Sequence, residues 1–329
     1  MSTVYLSPTA GLRVAIKDYY LSFFPQYLKK RADIFFDGVW PKWFFNALRC
    51  GKLIDEITFR PRRYRDIIDP TNTDMPYLSK KLGIGYNIVI PDADVPSIMR
   101  VAVNLNELTP LQLERARTLY TGQRENFMND VHRLQSYYAG LEGDGKKTTS
   151  NSNFLSIPPG LGWGTIKSKK YKTHELFGSP FNTFADTYSS AFALERELFS
   201  SRGSFDKYLP FDMAAREGED EKKLLIVNPP FDEVIIGEAA NMVIRLVNDD
   251  ARLLVIFVIP DWPEEGFPAR QRLRWASQSH GSSRSAAESK FFNYGTDEYV
   301  PASAAAVFVL SKKRCDITAT DILKKWREI

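Results

Sequence analysis

Between residues 224 and 259 the chain places an apolar run, an amphipathic stretch and a second apolar run in succession, and few folds accept that order. Residues 224–227 are too short for a helix and apolar throughout, as in a strand covered on both faces. Ile235, Ala239, Met242, Val243 and Leu246 then recur at helical spacing, with Asp232 in place to cap the helix. Residues 253–259 form a second buried run, and residues 304–310 a third. Strands alternating with amphipathic helices imply a largely parallel, covered sheet that takes its ligands beyond the carboxyl ends of its strands. Asn228 and Asp261 both fall there.

The first of those ends reads Asn228-Pro229-Pro230-Phe231. The carboxamide oxygen of Asn228 and the main-chain carbonyl of Pro229 can each accept one hydrogen of an –NH2 group, while Phe231 offers a face to a flat ring. An amine attached to such a ring is a poor nucleophile, because its lone pair is delocalised. Two preorganised acceptors localise that pair and stabilise the positive charge that grows as a methyl group arrives. The prolines fix φ and remove donors, which holds the carbonyl edge open. A plain strand-ending turn also favours Asn and Pro, but the four residues together suit methyl transfer to a ring amine.

A second stretch, Tyr171-Lys172-Thr173-His174-Glu175-Leu176-Phe177-Gly178-Ser179-Pro180-Phe181-Asn182, sets an acid, a strand-like pair and a Gly-Ser-Pro turn in succession. It reads either as a surface turn or as a first strand and loop for S-adenosylmethionine, with Glu175 facing the cofactor's amino-acid end. One departure is plain. Loops of that kind use two glycines for close backbone approach, and Pro180 and Phe181 occupy that region here. Gly160-Leu161-Gly162-Trp163-Gly164 follows two prolines rather than an apolar strand and reads as a flexible turn. His132, His174 and His280 lack the spacing of metal ligands or of a catalytic pair; they are read as structural, and no metal is expected.

Composition bounds the rest. Residues 1–65 hold twelve Lys/Arg against five Asp/Glu, in a chain whose net charge is only +4. The densest cluster, Arg60-Pro61-Arg62-Arg63-Tyr64-Arg65, suits phosphate and an exposed base, or else a solvated basic surface. Two distant cysteines, Cys50 and Cys315, match no metal spacing and point to a reducing compartment. No signal peptide is expected, and the longest apolar run is too short to cross a bilayer, so a nuclear or cytoplasmic protein without membrane contact is expected. Thr109-Pro110-Leu111-Gln112 opens a helix that should stop at Gly122. Phe127, Val131, Leu134 and Tyr138 mark another ending at Gly140, and Leu12, Ile16, Tyr19 and Phe23 a third. Trp40-Pro41-Lys42-Trp43-Phe44-Phe45 reads as buried helix packing or as a ring-stacking platform. Residues 141–153 are small, polar and aperiodic and read as a linker, and Ser277 to Ser289 as a mobile loop. The division expected is therefore 1–153, mainly helical and basic, and 154–329, α/β.

Three blocks taken together carry a resemblance: Glu175-Leu176-Phe177-Gly178-Ser179-Pro180-Phe181-Asn182; Ser190-Ala191-Phe192 leading to Phe199-Ser200-Ser201-Arg202-Gly203-Ser204-Phe205; and Asn228 to Phe231 followed by Ile259-Pro260-Asp261-Trp262. In order and spacing they resemble the catalytic region of the phosphorylated CTD-interacting factor family, the cap-specific adenosine N6-methyltransferases. The resemblance is good over about 170–310, with only general helical character shared before that. It implies a helical domain joined to a Rossmann-like methyltransferase domain. It also implies methyl transfer from S-adenosylmethionine to N6 of the 2′-O-methyladenosine beside the 7-methylguanosine cap of mRNA.

Carried over by position, the resemblance makes Asn228, Pro229, Pro230 and Phe231 the catalytic wall. Glu175, Phe177, Gly178, Ser179, Pro180, Asn182 and Asn228 hold the cofactor, and Glu195, after a strand at Ser190-Ala191-Phe192, holds its ribose hydroxyls. Phe231, Glu233, Asp261 and Trp262 border the substrate; Arg60, Arg62 and Arg63 match no family position and are expected on the cap phosphates from their chemistry alone. Trp40 and Trp43 are too close together for a WW domain, so none is expected, nor is binding to a phosphorylated polymerase tail. A DNA N6-adenine methyltransferase and a catalytically silent cap- or RNA-binding module are the alternatives.

Overall fold

The computed structural model describes residues 3–7, positions 13, 14, 17, 21, 26, 27, 29, 30 and 33, and residues 101–105, 107–142, 155–158, 171–190, 192–203, 222–231, 233–263, 267–293 and 298–329. The arginine cluster at 60–65, the tryptophan patch at 40–45, the apolar stripe from Leu12 to Phe23, the glycines at 160–164, Asp232 and nearly all of the linker lie outside them. The chain divides into two compact units, one of Met1–Glu107 with Gly122–Ser150 and one of Leu108–Thr121 with Asn151–Ile329.

In the first unit, β1 (Thr3–Ser7) and β2 (Val101–Leu105) pair antiparallel, Thr3 opposite Leu105. The sequence reading makes this region mainly helical and places no strand here. Two five-residue segments almost a hundred residues apart give no local sign that they pair.

In the second unit, α1 (Pro110–Leu119) begins with the expected capping box. The Gln112 amide donates to Thr109 Oγ1 at 3.3 Å, and the Thr109 amide to Gln112 Oε1 at 2.8 Å. The helix ends at Leu119, one turn short of Gly122. Back in the first unit, α2 (Phe127–Glu142) packs on both strands and buries Phe127, Val131, Leu134 and Tyr137.

The rest of the second unit is built on a six-stranded sheet. Its strands follow β3 (Leu155–Ser156) and are β4 (Tyr171–Glu175), β5 (Thr187–Tyr188), β6 (Lys222–Val227), β7 (Leu253–Pro260), β8 (Ser279–Ser282) and β11 (Ala305–Ser311). The helices are α3 (Ala193–Leu198), α4 (Glu233–Asp249), α5 (Pro268–Ala276) and α6 (Ala319–Arg327). Across the sheet the order is β5-β4-β6-β7-β11-β8. The first four strands run parallel, and β11 runs against both of its neighbours. This mixed α/β layout, mostly parallel, is consistent with a Rossmann-like fold. β3 joins β9 (Phe291–Asn293) and β10 (Glu298–Val300) in a separate antiparallel sheet.

Burial explains the order. Every residue of β7, and all of β6 after Lys222, is buried, as expected for strands covered on both faces. Leu224, Ile226, Leu254, Ile256 and Val258 share one core with Phe291 and with Ile322, Leu323 and Trp326 of α6. The alternate residues face the other way, where α4 packs on β7 and β11. The buried Trp326 indole donates to the Lys290 carbonyl at 2.7 Å, so the ring is buried without leaving its N–H unpaired.

Two expectations are corrected. The segment read as a mobile loop contains β8, with a 3₁₀ turn at Ala286–Glu288. β8 is held by backbone pairing to β11 and by Gly281, where a Cβ would come within 3.1 Å of Leu323; its polar side chains give no strand signal. The strand expected at Ser190-Ala191-Phe192 lies earlier, at Thr187–Tyr188, and Phe192 precedes α3. There the register is set by His174 and Glu175 facing Thr187 and Tyr188 across the parallel pair.

Candidate functional site

The chain leaves β4 toward β5 on one side of the sheet and leaves β6 toward β7 on the other. The carboxyl ends of β4 and β6 therefore flank a topological switch point, where connections diverge and a crevice opens for ligands. Register puts Glu175 opposite Ile226, one residue short of the end of β6. The turn after β4, residues 176–183, and the turn Asn228-Pro229-Pro230-Phe231 after β6 are thus neighbours. The sequence singled out both, and the fold brings them together.

On the β6 side, Pro229 is buried and Asn228, Pro230 and Phe231 are partly exposed. The Asn228 Oδ1 is enclosed, with no donor reaching it, while the residue is engaged by other contacts. Phe231 meets Trp262 edge to face at 6.4 Å and Phe291 at 5.7 Å. Trp262 in turn meets Phe267 at 5.3 Å, and Phe291 meets Trp326 at 5.2 Å. The aromatic row thus runs from the start of α5, past both candidate rings, into the core under α6. Asp261 follows β7 directly; its carboxylate pairs with Arg270 and accepts from Ser282 Oγ at 3.0 Å. Glu233 is exposed at the first position of α4, where a carboxylate also suits the helix dipole.

The β4 side is built differently. Thr173, His174 and Glu175 are all buried. Burial pushes the Glu175 carboxyl up to about 7, against the opposing pull of the Thr183 hydroxyl and the Arg115 guanidinium. Thr183 Oγ1 is enclosed and, although it stands beside that carboxyl, makes no hydrogen bond of normal geometry. His174 is held down to about 3, by burial first and by Arg202 second. Its Nδ1 lies 2.8 Å from Thr187 Oγ1 and its Nε2 3.1 Å from Ser189 Oγ, so the neutral ring is satisfied at both nitrogens. That is the structural role expected of it.

The loop after β4 is largely self-contained. The amide of Gly178 donates to Ser189, that of Ser179 to Asn182 Oδ1 at 2.7 Å, and those of Asn182 and Thr183 to the Ser179 carbonyl. Phe181 donates to Ser179 Oγ. A Cβ on Gly178 would sit 3.0 Å from Tyr188 Cβ, so packing alone accounts for this glycine. Phe177 is partly exposed and Pro180 buried. Glu195 is fully buried in α3 and accepts from the Phe192 amide at 3.3 Å.

Arg115 carries no signal in the sequence. From α1 its Nε donates to the Thr183 carbonyl at 2.5 Å and a second nitrogen to Ala185 at 3.4 Å, with the guanidinium over the Phe184 ring. Its partners lie 68 and 70 residues on, which no periodicity reveals. Arg270 and Ser282 went unseen for the same reason. Arg60, Arg62 and Arg63 fall outside the described residues. Among those residues no three His, Cys, Asp or Glu side chains gather as a metal site needs, and no helix is long and apolar enough to cross a membrane.

A family model described as the phosphorylated CTD interacting factor 1 WW domain matches residues 113–294, over half of the 329-residue chain. The chain belongs to this family. The match begins within α1, ends just past β9, and takes in the turns after β4, β6 and β7. A comparison with curated proteins finds no match. Because the family's description carries a WW domain, the expectation that this chain lacks one is not borne out. That expectation rested on Trp40 and Trp43, which precede both the matched span and most of the described residues, and polymerase-tail binding is no longer excluded on that ground.

Proposed function

We propose that this chain transfers a methyl group from S-adenosylmethionine to N6 of adenosine in RNA, at the 2′-O-methyladenosine next to a 7-methylguanosine cap. The observation that carries this reading is the adjacency, across the switch point, of the turn after β4 and the Asn228-to-Phe231 turn after β6. Family membership supports it, and the phosphorylated CTD named by that family belongs to the proposal as a partner.

The residues after β4 fit the cofactor's amino-acid end in part. Glu175 offers an enclosed carboxylate for its ammonium, Arg115 a nearby positive charge for its carboxylate, and Thr183 an enclosed hydroxyl beside Glu175. The loop amides contribute little, since most are occupied within the loop. Glu195 would reach the ribose only if a ligand displaced part of its enclosure. When bound, the cofactor supplies a methyl group on a positively charged sulfur.

The remaining work falls to the chain. Asn228 Oδ1 and the Pro229 carbonyl accept the two hydrogens of the amine and turn its lone pair out of the ring. Phe231 and Trp262 fix the plane of the base, and Glu233 offers a carboxylate to the donor edge of the cationic guanine. The methylated amine then gives up its extra proton to water.

A methyl-transfer assay on capped RNA, uncapped RNA and DNA, each beginning with adenosine, tests the reading. The expected outcome is N6-methyladenosine in capped RNA alone. Equal transfer to DNA would move the reading to a DNA methyltransferase, and transfer to none, with no S-adenosylmethionine affinity by calorimetry, to a binding module.

A further inference from the structure

Just past β7 the chain turns sharply. The Trp262 amide donates to the Pro260 carbonyl at 2.8 Å, closing a three-residue turn centred on Asp261, whose own amide donates to Ala304 at 2.8 Å. One side chain from another element holds that turn. Arg270, in the first turn of α5, gives one guanidinium nitrogen to the Trp262 carbonyl and another to the Asp261 carboxylate. The second nitrogen also lies 3.5 Å from Ser282 Oγ, which itself donates to Asp261 at 3.0 Å. The same end of α5 supplies Phe267, whose ring packs on Trp262 at 5.3 Å. Both main chain and ring of Trp262 are therefore fixed by the start of α5, and Trp262 is the neighbour of Phe231.

We propose that Arg270 is a positioning residue of the acceptor pocket, acting through Trp262 and Asp261 to hold the aromatic wall against the Asn228-to-Phe231 turn. This rests on the acceptor reading given above. The guanidinium is the group the job requires. Its planar fork reaches a carbonyl and a carboxylate at once, whereas a lysine ammonium is a single point charge. The ion pair is partly enclosed, with side-chain exposures of 19% for Arg270 and 23% for Asp261. Its loss would leave the Trp262 carbonyl without that donor and the carboxylate without its counter-charge, a larger change than the loss of a solvated surface pair. The wall would stay folded on Phe267 but lose its fixed angle, which weakens capture of the base more than the methyl transfer itself.

The test is steady-state kinetics on adenosine-initiated capped RNA, with direct RNA binding by fluorescence anisotropy. Arg270→Gln is expected to raise KM and Kd for RNA by about tenfold, the size of a lost charge-assisted hydrogen bond. Both kcat and S-adenosylmethionine affinity should stay within about twofold. Arg270→Lys should recover part of the loss, and Ser282→Ala, which spares the guanidinium, should raise KM by roughly two- to tenfold. Trp275→Ala, on the same helix but 75% exposed, should change nothing.

A double-mutant cycle with Trp262→Ala decides the route. If Arg270 acts through Trp262, adding Arg270→Gln to Trp262→Ala should cost little more. Additive losses, or a fall in kcat and cofactor affinity that tracks a lowered Tm, would overturn the inference. Should Arg270→Gln not fold, Ser282→Ala in the same cycle carries the decision. A wild-type chain that neither binds nor methylates the RNA would sink the acceptor reading, and this inference with it.

Discussion

Strands β4 and β6 lie side by side in one sheet and end at the same switch point, yet they are stabilised by different means. β6 buries Leu224 to Val227, continuing into the wholly buried β7, and what holds it is area removed from water. β4 buries Thr173, His174 and Glu175, and every such group must find a partner or change its protonation. Thr173 does so through Asp186, at 2.9 Å from its amide and 2.8 Å from its hydroxyl; His174 does so by staying neutral. The apolar half is a closely packed, rigid platform from which an acceptor turn can project. The carboxyl held up to about 7, that of Glu175, lies in the polar half. A ligand that bridges the two turns should therefore feel a pH-dependent charge on the β4 side.

The largest expected effect lies on the rigid side. Asn228 comes after β6 rather than belonging to it, so Asn228→Ala should leave the melting transition nearly unchanged while kcat falls by ~10²–10³, the usual cost of one preorganised polar contact in the transition state. Single-turnover methyl transfer measures this directly. Retention of more than about a tenth of the wild-type rate would break the assignment, and a large drop in Tm would mean that the two sides differ less than their burial implies.

On the polar side the expected effect is smaller and depends on pH. Glu175 must be ionised to hold a cationic ammonium, and its free carboxyl titrates near 7. Cofactor affinity should be flat above pH 7 and weaken by about tenfold per unit below it, as a proton must first be displaced. Glu175→Gln should bind at the weak level with no such slope. Stability has the opposite sign. The folded value is raised above the ordinary 4.5, so this group's contribution is whole below pH 4.5 and is lost as pH climbs through about 7. Cofactor-free Glu175→Gln should therefore be the more stable protein at pH 8, by urea unfolding. If affinity shows no slope while stability does, Glu175 is a core residue that touches no ligand.

The same contrast decides what could be read from sequence. Residues 224–227 and 253–259 announce themselves because burial on both faces leaves an unbroken apolar run, and Thr109 with Gln112 marks a helix start through contacts three residues apart. Asn228 could be found because the apolar strand before it fixes its place at the sheet's carboxyl edge. β8 could not, since Ser279-His280-Gly281-Ser282 is a strand only by virtue of pairing with β11. Nor could β5, which is two residues long. Thr183, Arg115 and Arg270 enter the candidate site only through partners supplied by distant chain. Sequence shows what a segment buries within itself; it is silent where polar groups are satisfied from elsewhere.

The smallest effect separates two helices with the same cap. In α1, Thr109 and Gln112 exchange bonds at 3.3 and 2.8 Å; in α6, Thr318 and Asp321 do so at 3.2 and 3.1 Å. Replacing either threonine by alanine removes one acceptor from a helix start and should cost ~1 kcal/mol of stability. The consequences should then part. α6 packs under the apolar half, so Thr318→Ala should leave cofactor affinity alone. α1 carries Arg115, bonded to the carbonyls of Thr183 and Ala185 beside Glu175, and loosening its first turns should weaken cofactor binding severalfold at equal loss of stability. Calorimetry on the two variants, matched by their urea midpoints, reads the difference. Equal cofactor affinities would show that Arg115 staples the loop without tuning the charge it encloses.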